Sequence, residues 1–481
     1  MNNAGGSIVQ AAPRMSAPTP GASRTRLLLE GPIVSTLLRL AAPNIVVNVI
    51  LIAVTATVDA HFVGQLGPGA LAGISLVFPL IMLMQQMANS SMGGAIASAL
   101  ARAIGAGRDA DASALVVHGL VVAAGMAVIF TSVLLIAGPA IYALMGGGAG
   151  EIRAAALEYS NAIFAGALAY WLLSTLTSVV RGAGQAAVLA VVYIAAEALH
   201  IILVPLLMFG IGPLPPLGIS GAGVATVISF AASSAVLAWY IASGRTGIKV
   251  SLRGMQLSRR LFVEILRVGA PMSLQPILNN LALATLTGFV GTLGAAQLAG
   301  FGVAARLEYL LYPLAFGLGA GVLAMVGTNI GAGNVARAAR IAWTAAGLAA
   351  FVTGCIGLFG LTLPGAWTAL FTKAPEVRAL AADYLVIIGP TYPFLGLGVT
   401  LASAFQAAGR PLWPLLGTAS RALVVTFGGL VAIHLVGTGV AGLAVVAASG
   451  LIVFGASLAI AFRAGVWQPR AQTSPAASKA R

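Results

Sequence analysis

Apolar runs of about 20–30 residues recur along the whole chain, and no other feature constrains its fold so tightly. Twelve can be marked out, starting near residues 33, 70, 112, 152, 187, 218, 262, 297, 338, 378, 412 and 440. In lipid the backbone must satisfy its own polar groups, which leaves helices or closed barrels. Barrel strands would be about ten residues long with alternating polarity, and that pattern is absent. Charged residues are 7% of the chain, against about 25% in a soluble domain, and 59% are hydrophobic, so water cannot be the solvent for this surface. The expected fold is an all-α membrane protein with twelve transmembrane helices.

The formal charge of +14 lies between the apolar runs, without interleaved aromatics. That arrangement points away from nucleic acid and toward a topology signal facing anionic lipid. Arg102 and Arg108 follow the second run, and Arg181 follows the fourth. Arg245, Lys249, Arg253, Arg259 and Arg260 separate the sixth and seventh, Arg337 and Arg340 follow the eighth, and Arg410 follows the tenth. Connections 64–69, 210–217, 291–296 and 437–439 carry no charge. The positive-inside rule then puts both termini in the cytoplasm of a multi-pass cell (inner) membrane protein. Residues 1–32 and 465–481 read as disordered cytoplasmic tails, and the first has no long apolar stretch of the signal-peptide kind. Cys355 is the one cysteine, no P-loop is present, and the four histidines lack zinc-site spacing. No metal, cofactor or ATP motor is expected.

An internal repeat divides the chain. Leu37-Leu38-Arg39-Leu40-Ala41-Ala42-Pro43 matches Ile265-Leu266-Arg267-Val268-Gly269-Ala270-Pro271, and Phe62-Val63-Gly64-Gln65-Leu66-Gly67 matches Phe289-Val290-Gly291-Thr292-Leu293-Gly294. Ile104-Gly105-Ala106-Gly107 matches Ile330-Gly331-Ala332-Gly333, and Arg181-Gly182-Ala183-Gly184 resembles Gln406-Ala407-Ala408-Gly409. The offset stays between 225 and 228, so the matches are collinear. Six spans per repeat is an even number, which makes a parallel repeat with a cavity between its lobes. The expected units are an N-lobe at 33–243, a basic cytoplasmic linker at 244–261 and a C-lobe at 262–464. Pro43 and Pro271, at matching places in the first helix of each lobe, remove a backbone donor and permit bending there. The glycines after the second and eighth runs read as helix C-caps.

Ionisable groups inside a bilayer are costly and are functional candidates by default. Of 11 acidic residues, only Asp59, Glu197 and Glu308 lie deep in apolar runs. Asn44, Asn48, Thr55 and Asp59 fall within a sector of roughly 60° on the first helix, a stripe that suits a cavity and not acyl chains. Tyr193, Glu197 and His200 share a face of the fifth helix by the same arithmetic, and Thr226 on the sixth can complete a cation-coupling cluster with Asp59. A buried carboxylate can trade its charge for a proton, Na⁺ or a cationic substrate, and so favour one conformation over another. The competing account is structural: a capping carboxylate, or a neutral histidine satisfied by Glu197. Arg306 and Glu308 diverge by about 200° on the eighth helix, so Glu308 is either functional or an ion pair with another helix. Thr287 occupies the place that Asp59 has in the first half, so the two halves are expected to be unequal in coupling.

The segments quoted above, with Gly221-Ala222-Gly223-Val224-Ala225-Thr226, Ala305-Arg306-Leu307-Glu308 and Gly327-Thr328-Asn329-Ile330-Gly331-Ala332-Gly333, resemble the multidrug and toxin extrusion (MATE) family, prokaryotic and DinF-like, over residues about 33–464. The resemblance implies a V-shaped pair of lobes, alternating access, and export of small organic compounds, often cationic, by H⁺ or Na⁺ antiport. It also implies that Asp59 is the coupling aspartate and Thr226 a polar member of the N-lobe cation site. Family members often have Asn-x-x-x-Asp before a proline in span five, where this chain has His200 and Val204 before Pro205. An oxygen ligand and a carboxylate are thus missing, which favours H⁺. Where some branches carry C-lobe acids, Gln275, Asn279 and Asn280 stand instead, and Gln275 and Asn279 join Asn44, Asn48, Thr55 and Tyr193 as candidate cavity-lining groups. The chain is expected to act as a monomer and not as an enzyme. The alternatives are a lipid-linked precursor flippase of the same superfamily and an intramembrane enzyme or scaffold.

Overall fold

The computed structural model describes residues 20–145, 150–210, 215–248 and 256–468, with the side chains of 20–24, 47–57, 59 and 60 outside that description. A short helix, Pro20–Glu30, precedes α1 (Ile33–Gly64) and α2 (Pro68–Gly105). Next come α3 (Asp109–Leu144), α4 in two parts (Glu151–Ala165 and Ala167–Gly182), α5 (Ala186–Phe209) and α6 (Gly218–Ala242). The second half repeats the order as α7 (Arg259–Leu293), α8 (Ala295–Gly331), α9 (Val335–Thr362), α10 (Pro375–Ala407), α11 (Leu412–His434) and α12 (Val440–Arg463). Among the described residues ten segments are long and apolar enough to span a membrane, and the two parts of α4, bent by 49°, make an eleventh. The 32-residue α1 completes twelve. Each of the twelve spans starts within about three residues of its expected place. The helix Pro20–Glu30, in contrast, lies in the stretch 1–32 expected to be a disordered tail, because its Arg26–Glu30 pair and Leu28, buried in a core, support a turn-forming segment there.

The repeat is visible in the backbone. Gly107 and Gly333 have φ of 68° and 80°, and Gly184 and Gly409 have 73° and 72°, left-handed conformations that end α2, α8, α4 and α10. These pairs are the glycines matched in sequence. Gly105 and Gly331 do something else. A Cβ on Gly105 would lie 2.0 Å from the Thr328 carbonyl oxygen, and one on Gly331 would lie 2.1 Å from that of Arg102. Only hydrogen fits there, so α2 and α8 meet backbone to backbone in a reciprocal contact.

Buried apolar side chains form two cores. One runs from Val63 to Met272, and the other from Ala282 to Trp467 together with Leu28, Leu37, Leu40, Ala41 and Ala186. The chain passes from one core to the other inside α1 and again inside α7. The early parts of these helices pack with the opposite half, so the boundary in packing falls between Met272 and Ala282 and not at residue 261. Burying those stripes is what holds the halves together at this end, because lipid offers no hydrophobic drive between helices and close van der Waals packing must supply it.

Candidate functional site

Tyr193, Glu197 and His200 are all buried on α5, at 9%, 7% and 3% exposure, so the helical spacing does place one polar stripe inside the bundle. α5 packs against both α1 and α6. Two contacts fix the register of these helices. The rings of Phe62 on α1 and Phe209 on α5 lie 6.4 Å apart, and a Cβ on Gly221 of α6 would touch the Leu207 carbonyl oxygen at 2.6 Å. At about 1.5 Å rise per residue, Thr226 and His200 lie within about 3 Å of the same level, while the Asp59 backbone is about 9 Å nearer the Gly64 end. The side chains of Asn48, Thr55 and Asp59 lie outside the described residues.

Local bonds settle several of these groups. Asn44, directly after Pro43, is buried and donates through Nδ2 to the Leu40 carbonyl at 2.8 Å. Thr226 donates to the Ala222 carbonyl at 3.0 Å, the usual way for a threonine hydroxyl to be satisfied on an apolar helix. Tyr193 Oη shares a 3.2 Å hydrogen bond with Thr177 on α4. Glu197 and His200 are i,i+3 neighbours, so a carboxylate and an imidazole sit within one turn of each other in a buried setting. Such a pair can hold and pass a proton. No group of three or more His, Cys, Asp or Glu side chains able to hold a metal occurs among the described residues.

The second half is arranged differently. Glu308 accepts from Arg421 of α11 at 3.2 Å, and Arg421 also donates to the Tyr312 hydroxyl at 3.1 Å. Arg306 is exposed and sits 4.9 Å over the Phe371 ring, so it does not pair with Glu308. Thr287, at the place of Asp59, donates to the Leu283 carbonyl. Gln275 and Asn279 are half-buried at the middle of α7 and Asn280 is exposed. Neutral amides at mid-helix are poorly placed against acyl chains and well placed along a wet cavity. Pro43 and Pro271 are both inside their helices.

Two features escaped the sequence reading. Arg421 is a buried cation that a census of acids alone passes over. The other is a π-helical turn at Met87–Met92 within α2. Here Asn89 donates to the Tyr170 hydroxyl at 2.5 Å and accepts from Ser174 at 2.9 Å. The signal was the polar run Asn89-Ser90-Ser91, close behind Gln85-Gln86 in a mostly apolar helix and followed by Gly93-Gly94.

A model of the MatE family matches this chain twice, over residues 44–206 and 271–431, once in each half. The FAD transporter of Shewanella oneidensis is 27% identical over 400 residues, covering 80% of this chain and 84% of that protein. The probable multidrug resistance protein NorM of Thermotoga maritima is 25% identical over 389 residues, covering 79% and 82%. A crystal structure of MATE in the straight conformation superposes with a TM-score of 0.82 at 25% identity, covering 92% of this chain and 98% of that one. The twofold family match, the twelve helices and the repeat agree: this chain belongs to the MATE family of membrane transporters.

Proposed function

We propose that this protein is a secondary exporter of organic compounds, driven by antiport of H⁺ in preference to Na⁺, through alternating access between lobes at 33–243 and 262–464 joined by the linker 244–261. The observation that carries the proposal is the buried Tyr193–Glu197–His200 stripe on α5, packed beside the helix that bears Asp59. A titratable pair kept from bulk water gains or loses its charge at real cost, so its protonation state biases the packing around it. His200 stands where an oxygen ligand would serve Na⁺, and imidazole is a proton carrier. Thr226 lies at the His200 level and belongs to the same cluster. Asn44, Asn48, Thr55, Gln275 and Asn279 line the path of the substrate, and Pro43 and Pro271 let α1 and α7 bend. Both tails face the cytoplasm, where the basic connections lie, and the protein acts as a monomer.

The relatives bear the names of a multidrug resistance protein and an FAD transporter. The mid-helix amides of α7, Gln275, Asn279 and Asn280, are neutral and set no charge preference. The test is therefore uptake into proteoliposomes of two probes, a fluorescent organic cation and FAD, with pH and Na⁺ gradients imposed separately. A pH gradient alone should drive at least one probe, and Asp59→Asn should reduce that flux to the level of empty vesicles at equal reconstitution. Flux driven by Na⁺ with pH clamped refutes the proton assignment, and full flux in Asp59→Asn refutes the role of Asp59.

A further inference from the structure

The π turn at Met87–Met92 is tied to the second half of the chain by hydrogen bonds that end on its backbone carbonyls. A π turn shifts the regular ladder to i→i+5 bonding, and each carbonyl in it has a second lone pair that another donor can use. Gln406, from the last turn of α10 and 3% exposed, donates through Nε2 to the Ser90 carbonyl at 2.8 Å and the Ser91 carbonyl at 3.2 Å. Gly94 makes room for it: a Cβ there would lie 2.4 Å from the Gln406 amide nitrogen. Beside this contact, Arg102 of α2 donates to the Ala407 carbonyl at 2.8 Å, at the carbonyl end of α10. The reciprocal Gly105–Gly331 approach lies one turn further on. All three contacts join α2 to α8 or α10, and so join the two cores at one end of the molecule.

Resting on the transport reading above, we propose that Gln406 is a positioning residue of the transport cycle: it holds the Gly105–Gly331 end shut by capping the π turn, and opening at that end requires its amide to leave Ser90 and Ser91. A backbone carbonyl abandoned inside the bundle must find a new donor. Tightening the π turn toward regular α-helix supplies one from the same strand of backbone, which makes the turn a two-state element that Gln406 biases.

The experiment measures the distance between spin labels at Ala106→Cys and Ala332→Cys, both exposed and at matching places beyond α2 and α8, in a Cys355→Ala background. Gln406→Ala should raise the ratio of long to short distances by about fivefold or more, the effect of losing about one net hydrogen bond. An unchanged distribution overturns the proposal. Gly94→Ala should open the same end in the wild-type background by displacing the amide, and should add nothing to Gln406→Ala. Further opening in the Gln406→Ala background shows that Gly94 acts on something else and also overturns it. The distances need no transported compound, so failure of flux with the distance shift intact counts against the transport reading and not against the latch.

Discussion

Arg421 sits nine residues into α11, away from either helix end, and its guanidinium is met by Glu308 and the Tyr312 hydroxyl. Both partners of the ion pair are mostly buried, at 17% and 15% side-chain exposure. Such a pair gives little net stability over apolar groups, yet breaking it strands a charge. Glu308→Gln should lower the stability of the detergent-solubilised protein by on the order of 3 kcal/mol, and Arg421→Met added to it should restore most of the loss. A thermal midpoint unmoved by Glu308→Gln would mean that water already answers the arginine. His200 raises a different question, because it is buried one helical turn from Glu197. His200→Ala should displace the pH–flux profile, and an unaltered profile would reduce the imidazole to packing. Side-chain periodicity made the α5 stripe legible from the sequence, because i, i+4 and i+7 fall on one face. The partner of Glu308 was not legible, since Arg421 is 113 residues away and no local spacing records which helices touch.

At the scale of elements, the two Gly-Ala-Gly motifs show how one sequence signal hides two tasks. Gly107 and Gly333 are the expected caps with positive φ. Gly105 and Gly331 instead admit a neighbouring backbone at 2.0 and 2.1 Å from where a Cβ would be. Gly105→Ala should therefore push α2 from α8 and lengthen the distance between labels at residues 106 and 332. Gly331→Ala should do the same, and the double variant should do little more, because the first methyl has already parted the helices. Gly107→Ala is the control: it costs about 1 kcal/mol of backbone strain and should leave the distance alone. The π turn has its own logic. Met272 would normally receive the N–H of residue 276, but that residue is Pro276, and Ser91 Oγ donates to the Met272 carbonyl at 2.9 Å in its place. A serine in the turn thus repairs a gap that a proline makes in α7. No sequence pattern links positions 91 and 272.

For the molecule as a whole, helix number, order and repeat were readable because bilayer thickness and lipid chemistry impose them on any chain. The seam between halves was not readable. A basic connection at 244–248 marks where α6 ends, yet packing changes hands about thirty residues later, within α7. Covalent order and burial follow different constraints here, since a helix of 35 residues can serve one core with its beginning and the other with its end.

That shared use of α7 bears on how the protein is made. When a ribosome has delivered α1 to α6, Leu261, Ile265, Val268 and Met272 are still to come, and these side chains complete the first core. Leu37, Leu40 and Ala41 meanwhile wait for α8 and its neighbours. The first core therefore stays open until α7 has been made, and the second until α8 and its followers arrive, so insertion of the first six helices precedes the completion of either core.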